Sequence, residues 1–171
     1  MGPEEELVAR ATEHAQRHGL VLARELGHGV HGIVFLGRSQ RGNEAPAQSA
    51  IKVHRHETDY RRERDVYLRL KRKSVSAIRG CHVPKLLRYD DDLLIIEMTI
   101  VTPPYLLDFA GAFLDKAPDF SEEVMADWLA EKQEQFEGRW PEVAAILGVL
   151  QGFGIHYIDV SPKNIALLEK P

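Results

Sequence analysis

The chain is short of the residues that staple a protein, anchor it in a membrane or spread it over nucleic acid. It has one cysteine, Cys81, so no internal disulfide framework can form. Cys81 reads as a small, partly buried side chain in a chain that fits a reducing cytoplasm. Neighbouring His82 does not make a metal site with it, because zinc takes four ligands at set spacings. No apolar run reaches the roughly 18–20 residues a membrane span needs, so no membrane partner is expected. The opening MGPEEELVAR is acidic and lacks the apolar stretch of a secretory signal, and Glu6 stands where a myristoylation motif wants Ser or Thr. There is no internal repeat, no low-complexity tract and no Walker-type G-x-x-x-x-G-K-[ST] loop.

What is present is 171 residues, 44% hydrophobic and 28% charged, the make-up of one globular domain with enough apolar side chains for a core. The net charge of −4 is unevenly spread: residues 1–100 hold 17 Lys+Arg against 14 Asp+Glu, and residues 101–171 hold 5 against 12. The densest basic stretch, Arg61 to Lys73, falls on an expected helix and reads as a solvated face. A nucleic-acid partner would need interleaved aromatics and an overall basic balance, and neither is present.

Hydrophobic periodicity organises the chain. Leu7, Val8, Ala11 and Ala15 line one face of a helix over Glu4 to Arg17. Leu20–Leu26 and Gly32–Arg38 read as strands joined by a glycine-rich turn. Gln40–Ala47 reads as a polar connector and Ser49–Val53 as a third strand. Tyr60, Glu63, Val66, Tyr67 and Leu70 recur at helical spacing over about Asp59–Lys73. Lys85–Tyr89 and Leu93–Met98 form two further strands around Asp90-Asp91-Asp92, which reads as a solvated turn rather than a calcium loop. After Thr102-Pro103-Pro104 the chain is expected to be mostly helical, with Ser121 as an N-cap and Pro141 opening a helix over Glu142–Leu150. The fold class is therefore α+β: a five-stranded antiparallel sheet with one helix over residues 1–98, joined to a reduced helical lobe over 99–171, in a single domain.

Three constellations carry chemistry. Gly27-His28-Gly29-Val30-His31-Gly32-Ile33-Val34 has the form G-x-G-x-x-G-x-V. Because Ile33-Val34-Phe35-Leu36 continues as a strand, it suits a flap whose backbone N–H groups approach phosphates. Eighteen residues past Val34 comes Ala50-Ile51-Lys52-Val53. A lysine on an apolar strand needs an anion, since an unpaired buried ammonium is costly. Glu63, on the inward face of the following helix, is the candidate partner. Lastly, Ile158-Asp159-Val160-Ser161-Pro162-Lys163-Asn164-Ile165 sets an aspartate and an asparagine five residues apart between apolar flanks. The aspartate suits acceptance of a hydroxyl proton, the asparagine oxygen suits magnesium, and Lys163 or Ser161 suits a place near a transferred phosphate.

Taken together, in this order and at these spacings, the motifs resemble the protein-kinase-like superfamily from about Leu20 to Leu168. The resemblance implies ATP and Mg2+ as cofactors. Gly27, Gly29 and Gly32 would cover the phosphates, Lys52 would pair with Glu63, Asp159 would be the base and Asn164 a metal ligand. It also implies Ile96 as the gatekeeper behind the adenine and Glu97 to Thr99 as the hinge. Leu26, Val34, Ala50 and Ala166 or Leu167 would sandwich the ring. The acceptor would be a hydroxyl on a protein Ser/Thr or a small molecule. The alternative is a catalytically impaired module that binds nucleotide or a partner.

Two departures stand out. Tyr157-Ile158-Asp159 replaces the family's His-Arg-Asp, a change in which tyrosine can still pack and hydrogen-bond. The family's Asp-Phe-Gly, whose aspartate holds magnesium, is expected beyond the hairpin after Asn164, where only seven residues follow. The chain therefore reads as a minimal or C-terminally truncated member without that segment. Asp108-Phe109-Ala110-Gly111 mimics it but precedes the catalytic loop. The expected role for Asp108 is structural or helix-capping, then a ribose or substrate contact, and last a metal contact. Glu169 is another stand-in, or part of a frayed terminus. A shortened helical lobe would leave apolar surface exposed, which points to a homodimer.

Overall fold

The computed structural model describes residues 2–41 and 46–168. A helix α1 (Pro3–Arg17) is followed by strands β1 (Leu20–His28), β2 (Gly32–Ser39) and β3 (Gln48–His54) and then by α2 (Glu57–Arg72). Two short strands, β4 (Ala77–Ile78) and β5 (Cys81–His82), precede β6 (Leu86–Asp90) and β7 (Ile95–Met98). The five longer strands form one antiparallel sheet in the order β1-β2-β3-β7-β6, in agreement with the alternation of apolar residues.

That alternation sorts side chains between two cores. Ile33, Phe35, Ile51, Val53 and Ile95 point to the back of the sheet, where Leu7, Ala11 and Ala15 of α1 cover them. Ala50, Ile96 and Met98 point to the front, against Tyr60, Val66, Tyr67 and Leu70 of α2. The acidic turn between β6 and β7 is closed by Asp90, whose Oδ1 accepts from the N–H groups of Asp92 (3.0 Å) and Leu93 (2.9 Å). Asp91 accepts instead from the Tyr60 hydroxyl at 2.7 Å and from Arg64 at 2.6 Å.

Beyond Met98 the expectation of a mostly helical lobe holds only in part. Residues 99–121 contain no helix and instead supply β8 (Tyr105–Leu106) and β9 (Ala112–Leu114). Then come α3 (Glu122–Phe136), a 3-10 turn (Glu137–Arg139) and α4 (Trp140–Gly152), followed by β10 (Ile155–Tyr157) and β11 (Ile165–Ala166). Short strands escape periodicity because two or three residues show no alternation. Ser121 caps α3, its hydroxyl accepting from the Val124 N–H at 3.2 Å, and Pro141 lies in the first turn of α4. No described helix is long and apolar enough to cross a membrane.

The pairing of these short strands positions the site. β9 pairs antiparallel with β10, and β8 pairs antiparallel with β11. Residues 105–114 thus lie against both ends of the segment Ile155–Ala166, although they precede it by some forty residues. Phe109, fully buried, locks this arrangement to α2. Its ring meets Tyr67 edge-on at 5.3 Å and Tyr157 at 5.5 Å. Phe109→Ala should remove that joint and cost about 3–5 kcal/mol of stability, read from urea unfolding curves. A loss under about 1 kcal/mol would show that the two halves are held together elsewhere.

Candidate functional site

Lys52 leaves the front of β3 and is nearly fully buried. Its Nζ lies 2.7 Å from Glu63 Oε2 and 2.8 Å from Asp108 Oδ1. Glu63 is only 1% exposed and is fully engaged. Its Oε2 also meets His54 Nε2 at 2.6 Å, and its Oε1 accepts from the Phe109 N–H at 3.2 Å. Burial alone would raise the Glu63 carboxyl, but the Lys52 charge and hydrogen bonds from His54 and Lys52 outweigh it and hold it at about 2. Burial likewise pushes the Lys52 ammonium down, while Glu63 and Asp108 more than restore it, so its pKa lies above the usual lysine value. The pair is ionised at neutral pH.

For Asp108 the sequence suggests a structural or helix-capping part first, then a ribose or substrate contact, then a metal contact. No helix begins there, and its carboxylate stands beside Lys52. The residue sits at φ 59°, a left-handed conformation that Asp tolerates, and its Oδ1 accepts from the Ala110 N–H at 3.3 Å. Gly111 then passes so close to the next loop that a Cβ there would lie 2.7 Å from Asp159 Cβ. Asp108-Phe109-Ala110-Gly111 therefore lies between the Lys52–Glu63 pair and the Asp159 loop, held there by β8 and β9.

The candidate loop from Tyr157 to Asn164 is braced on several sides. The Tyr157 hydroxyl donates to the Leu107 carbonyl at 2.8 Å, so tyrosine does pack and bond in place of histidine. Trp128 of α3 donates from Nε1 to the Ile158 carbonyl at 3.2 Å. Asn164 Nδ2 donates to the Asp159 carbonyl at 3.0 Å, and its side-chain oxygen has no hydrogen bond among the described residues. The Asp159 side chain is 47% exposed and thus open to an incoming group.

These residues surround a cavity of about 520 Å³ between the glycine-rich turn and β8. Leu26, Gly27, Gly29, Gly32, Val34, Ala50, Lys52, Glu63, Thr99 and Asn164 all line it, as does Lys163. At Gly27 and Gly29 a Cβ would meet nothing within 4 Å, so the turn stands clear above the cavity. Gly32 is required by packing, because a Cβ would lie 2.0 Å from the Val53 carbonyl oxygen.

Several expectations need correction. Ile96 and Glu97 do not line the cavity. The register of β3 with β7 sets Met98 opposite Ala50, where it lines the cavity, and Ile96 is buried two residues deeper, opposite Lys52. Glu97 points to the back of the sheet, its Oε2 3.0 Å from both His14 Nε2 and Arg88 Nε. The linker that borders the cavity is Thr99-Ile100-Val101. Thr99 donates its N–H to the Lys85 carbonyl, at 2.9 Å. Leu107 lines the cavity, whereas Ala166 and Leu167 do not. Ser161 is not among the lining residues, and Glu169 lies outside the described residues.

In the sequence His31 is no more than a spacer in the glycine pattern. In the structure its Nδ1 lies 3.0 Å from Asp59 Oδ2 and its Nε2 3.5 Å from Asp159 Oδ2, so it joins the turn to both α2 and the Asp159 loop. Burial lowers its pKa, but the hydrogen bond to Asp59 and the charges of Asp108 and Asp59 outweigh this, and the net direction is upward.

No family model and no curated protein matches the chain. Among solved structures it is similar to the kinase domain of PknI from Mycobacterium tuberculosis, in two forms, one of them a double mutant. Each is 19% identical with a TM-score of 0.34, over 79% of this chain and 48% of that one. The chain thus spans about half the length of those kinase domains, and so loose a likeness leaves the site to be read from its own geometry.

Glu63 titrates near 4.5 when unfolded and at about 2 when folded. Its contribution to stability is therefore complete above pH 4.5 and is lost as the pH falls toward 2. Across that window the wild type should lose on the order of 3 kcal/mol more unfolding free energy than Glu63→Gln. Parallel pH profiles for the two proteins would disprove the buried ion pair.

Proposed function

We propose that the chain is an ATP-dependent phosphotransferase with a protein-kinase-like site, moving the γ-phosphate of ATP to a hydroxyl. The observation that carries this reading is the convergence of Lys52, Glu63, Asp108 and Asn164 on one cavity beneath a glycine-rich turn, with Asp159 3.5 Å from the lining residue His31. Leu26, Val34 and Ala50 above and Leu107 below suit an adenine ring. Ile100 and Val101 make no backbone hydrogen bonds among the described residues, so their N–H and C=O groups are free for the base edge.

The residues fit magnesium. Asp108 and Asn164 offer hard oxygen donors on one cavity. One or two protein oxygens completed by substrate phosphates is the usual arrangement for this ion. When bound, magnesium would neutralise charge on the β- and γ-phosphates. Lys52, held by Glu63, would place its ammonium at the α- and β-phosphates. Asp159 would accept the proton of the acceptor hydroxyl as the new O–P bond forms and the bond from γ-phosphorus to its bridging oxygen breaks, ADP leaving. The main reason for an impaired module is the want of a second metal ligand with a carboxylate, and Asp108 supplies a candidate.

Calorimetric titration should show ATP binding that strengthens with magnesium. Lys52→Ala and Asn164→Ala should both weaken it, and Asp108→Asn should abolish the magnesium effect. Asp159→Asn should leave binding intact while lowering transfer by roughly 10²–10⁴-fold. Transfer at the wild-type rate in that variant would rule out the mechanism, and nucleotide binding without turnover under any metal would favour the impaired module.

A further inference from the structure

A second cavity, about 580 Å³, opens between α2 and the segment from β9 to α3. Its charged lining is Arg61, Arg62 and Lys116 against Asp65 and Asp119. Two of these are already matched: Arg61 donates to Glu57 at 2.8 and 2.5 Å, and Asp65 pairs with Arg64 at 2.8 Å. Arg62, Lys116 and Asp119 have no ion pair among the described residues, which leaves two free cations to one carboxylate.

Arg62 is positioned without a carboxylate. Its guanidinium lies over Phe113, 4.3 Å from the ring centroid. That contact holds the group in place while leaving its N–H edges unpaired, the arrangement that recognises phosphate or carboxylate. The wall that carries Lys116 is held firmly. Arg69 of α2 donates to both oxygens of neighbouring Asp115, at 2.5 and 2.7 Å, and the Asp115 N–H donates to the Gly154 carbonyl at 2.7 Å. Thr58 adds a hydroxyl on the α2 side.

Both walls lead to Asp159. Ala112 and Phe113 follow Gly111, which abuts Asp159, and Thr58 precedes Asp59, which reaches Asp159 through His31. The geometry points to this cavity as the seat of the phosphoryl acceptor, a small hydroxylated molecule whose own phosphate is gripped by Arg62 and Lys116 while its hydroxyl faces Asp159. Its volume lies in the range of small-ligand sites. The assignment of Asp159 as base belongs to the proposed function; the anion site does not depend on it.

The test separates the two. Inorganic phosphate is titrated, with chemical shifts followed by NMR, onto the full chain saturated with a non-hydrolysable ATP analogue and onto Lys52→Ala. Binding should persist in both and weaken roughly tenfold or more in Arg62→Gln and in Lys116→Ala. Lys116 is exposed, so its variant keeps the test open should Arg62→Gln fold poorly. Phosphate that binds nowhere, or that is lost with Lys52→Ala or the analogue and is indifferent to Arg62 and Lys116, would overturn the second site and leave the nucleotide reading untouched. With ATP and magnesium, glycerol 3-phosphate should be a better acceptor than glycerol, and Lys116→Ala should raise KM for the ester with little change in kcat. Transfer to a Ser/Thr peptide but to no phosphate ester would overturn the acceptor class.

Discussion

A lysine ammonium withdrawn from water must be matched by anions, and the structure around Lys52 follows from that requirement. Glu63 is the first partner, but a buried carboxylate that carries one proton donor is itself under-satisfied. Its remaining lone pairs are met by His54 from the same strand as Lys52 and by the backbone of Phe109. Asp108 adds the second anion on Lys52. Sheet, helix and the 105–114 segment are therefore tied at one point by charge-assisted hydrogen bonds that are costly to break singly. Tyr67, Phe109 and Tyr157 pack beside this group and keep water from screening it.

The segment that brings Asp108 to Lys52 also sets Gly111 against Asp159, although the two lie far apart in the chain. Strand pairing depends on hydrogen-bond registration between neighbours and not on which neighbour was encoded first. β8 lies beside β11 and β9 beside β10, so Asp108 and Asp159 arrive from adjacent strand ends. Gly111 is the point of closest approach, where a side chain would displace Asp159. The proposed phosphotransferase chemistry needs the lysine, a carboxylate and the asparagine on one cavity; Lys52, Asp108 and Asn164 all line it, and Asp159 lies 3.5 Å from His31, which lines it too.

Much of this is legible in the residues. The five long strands, α1, α2 and the α3 cap can be read from periodicity and capping chemistry. The partnership of Lys52 with Glu63 can be inferred from the cost of an unpaired buried charge. What the residues do not give is of two physical kinds. Ile96 and Glu97 do not line the cavity because the register of β7 on β3 decides which residues reach it, and a shift of two residues keeps the same face while moving the contact. Glu97 lies on the other face altogether, turned to His14 and Arg88. The contact of Asp108 with Lys52 could not be read because position along the chain does not give position in space.

The sequence by itself determined which side chains could carry charge chemistry and which faces of its longer elements would be buried, because periodicity and desolvation act over a few neighbouring residues. Tertiary structure alone decided which of those charged groups would meet. Strands of two or three residues leave no local pattern, and their pairing is selected by the whole packed core. That pairing brought Asp108 to Lys52, His31 to Asp59 and Asp159, and Arg62 onto Phe113. Contacts between residues distant in sequence depend on the fold closing around them, and no local stretch of the chain encodes them.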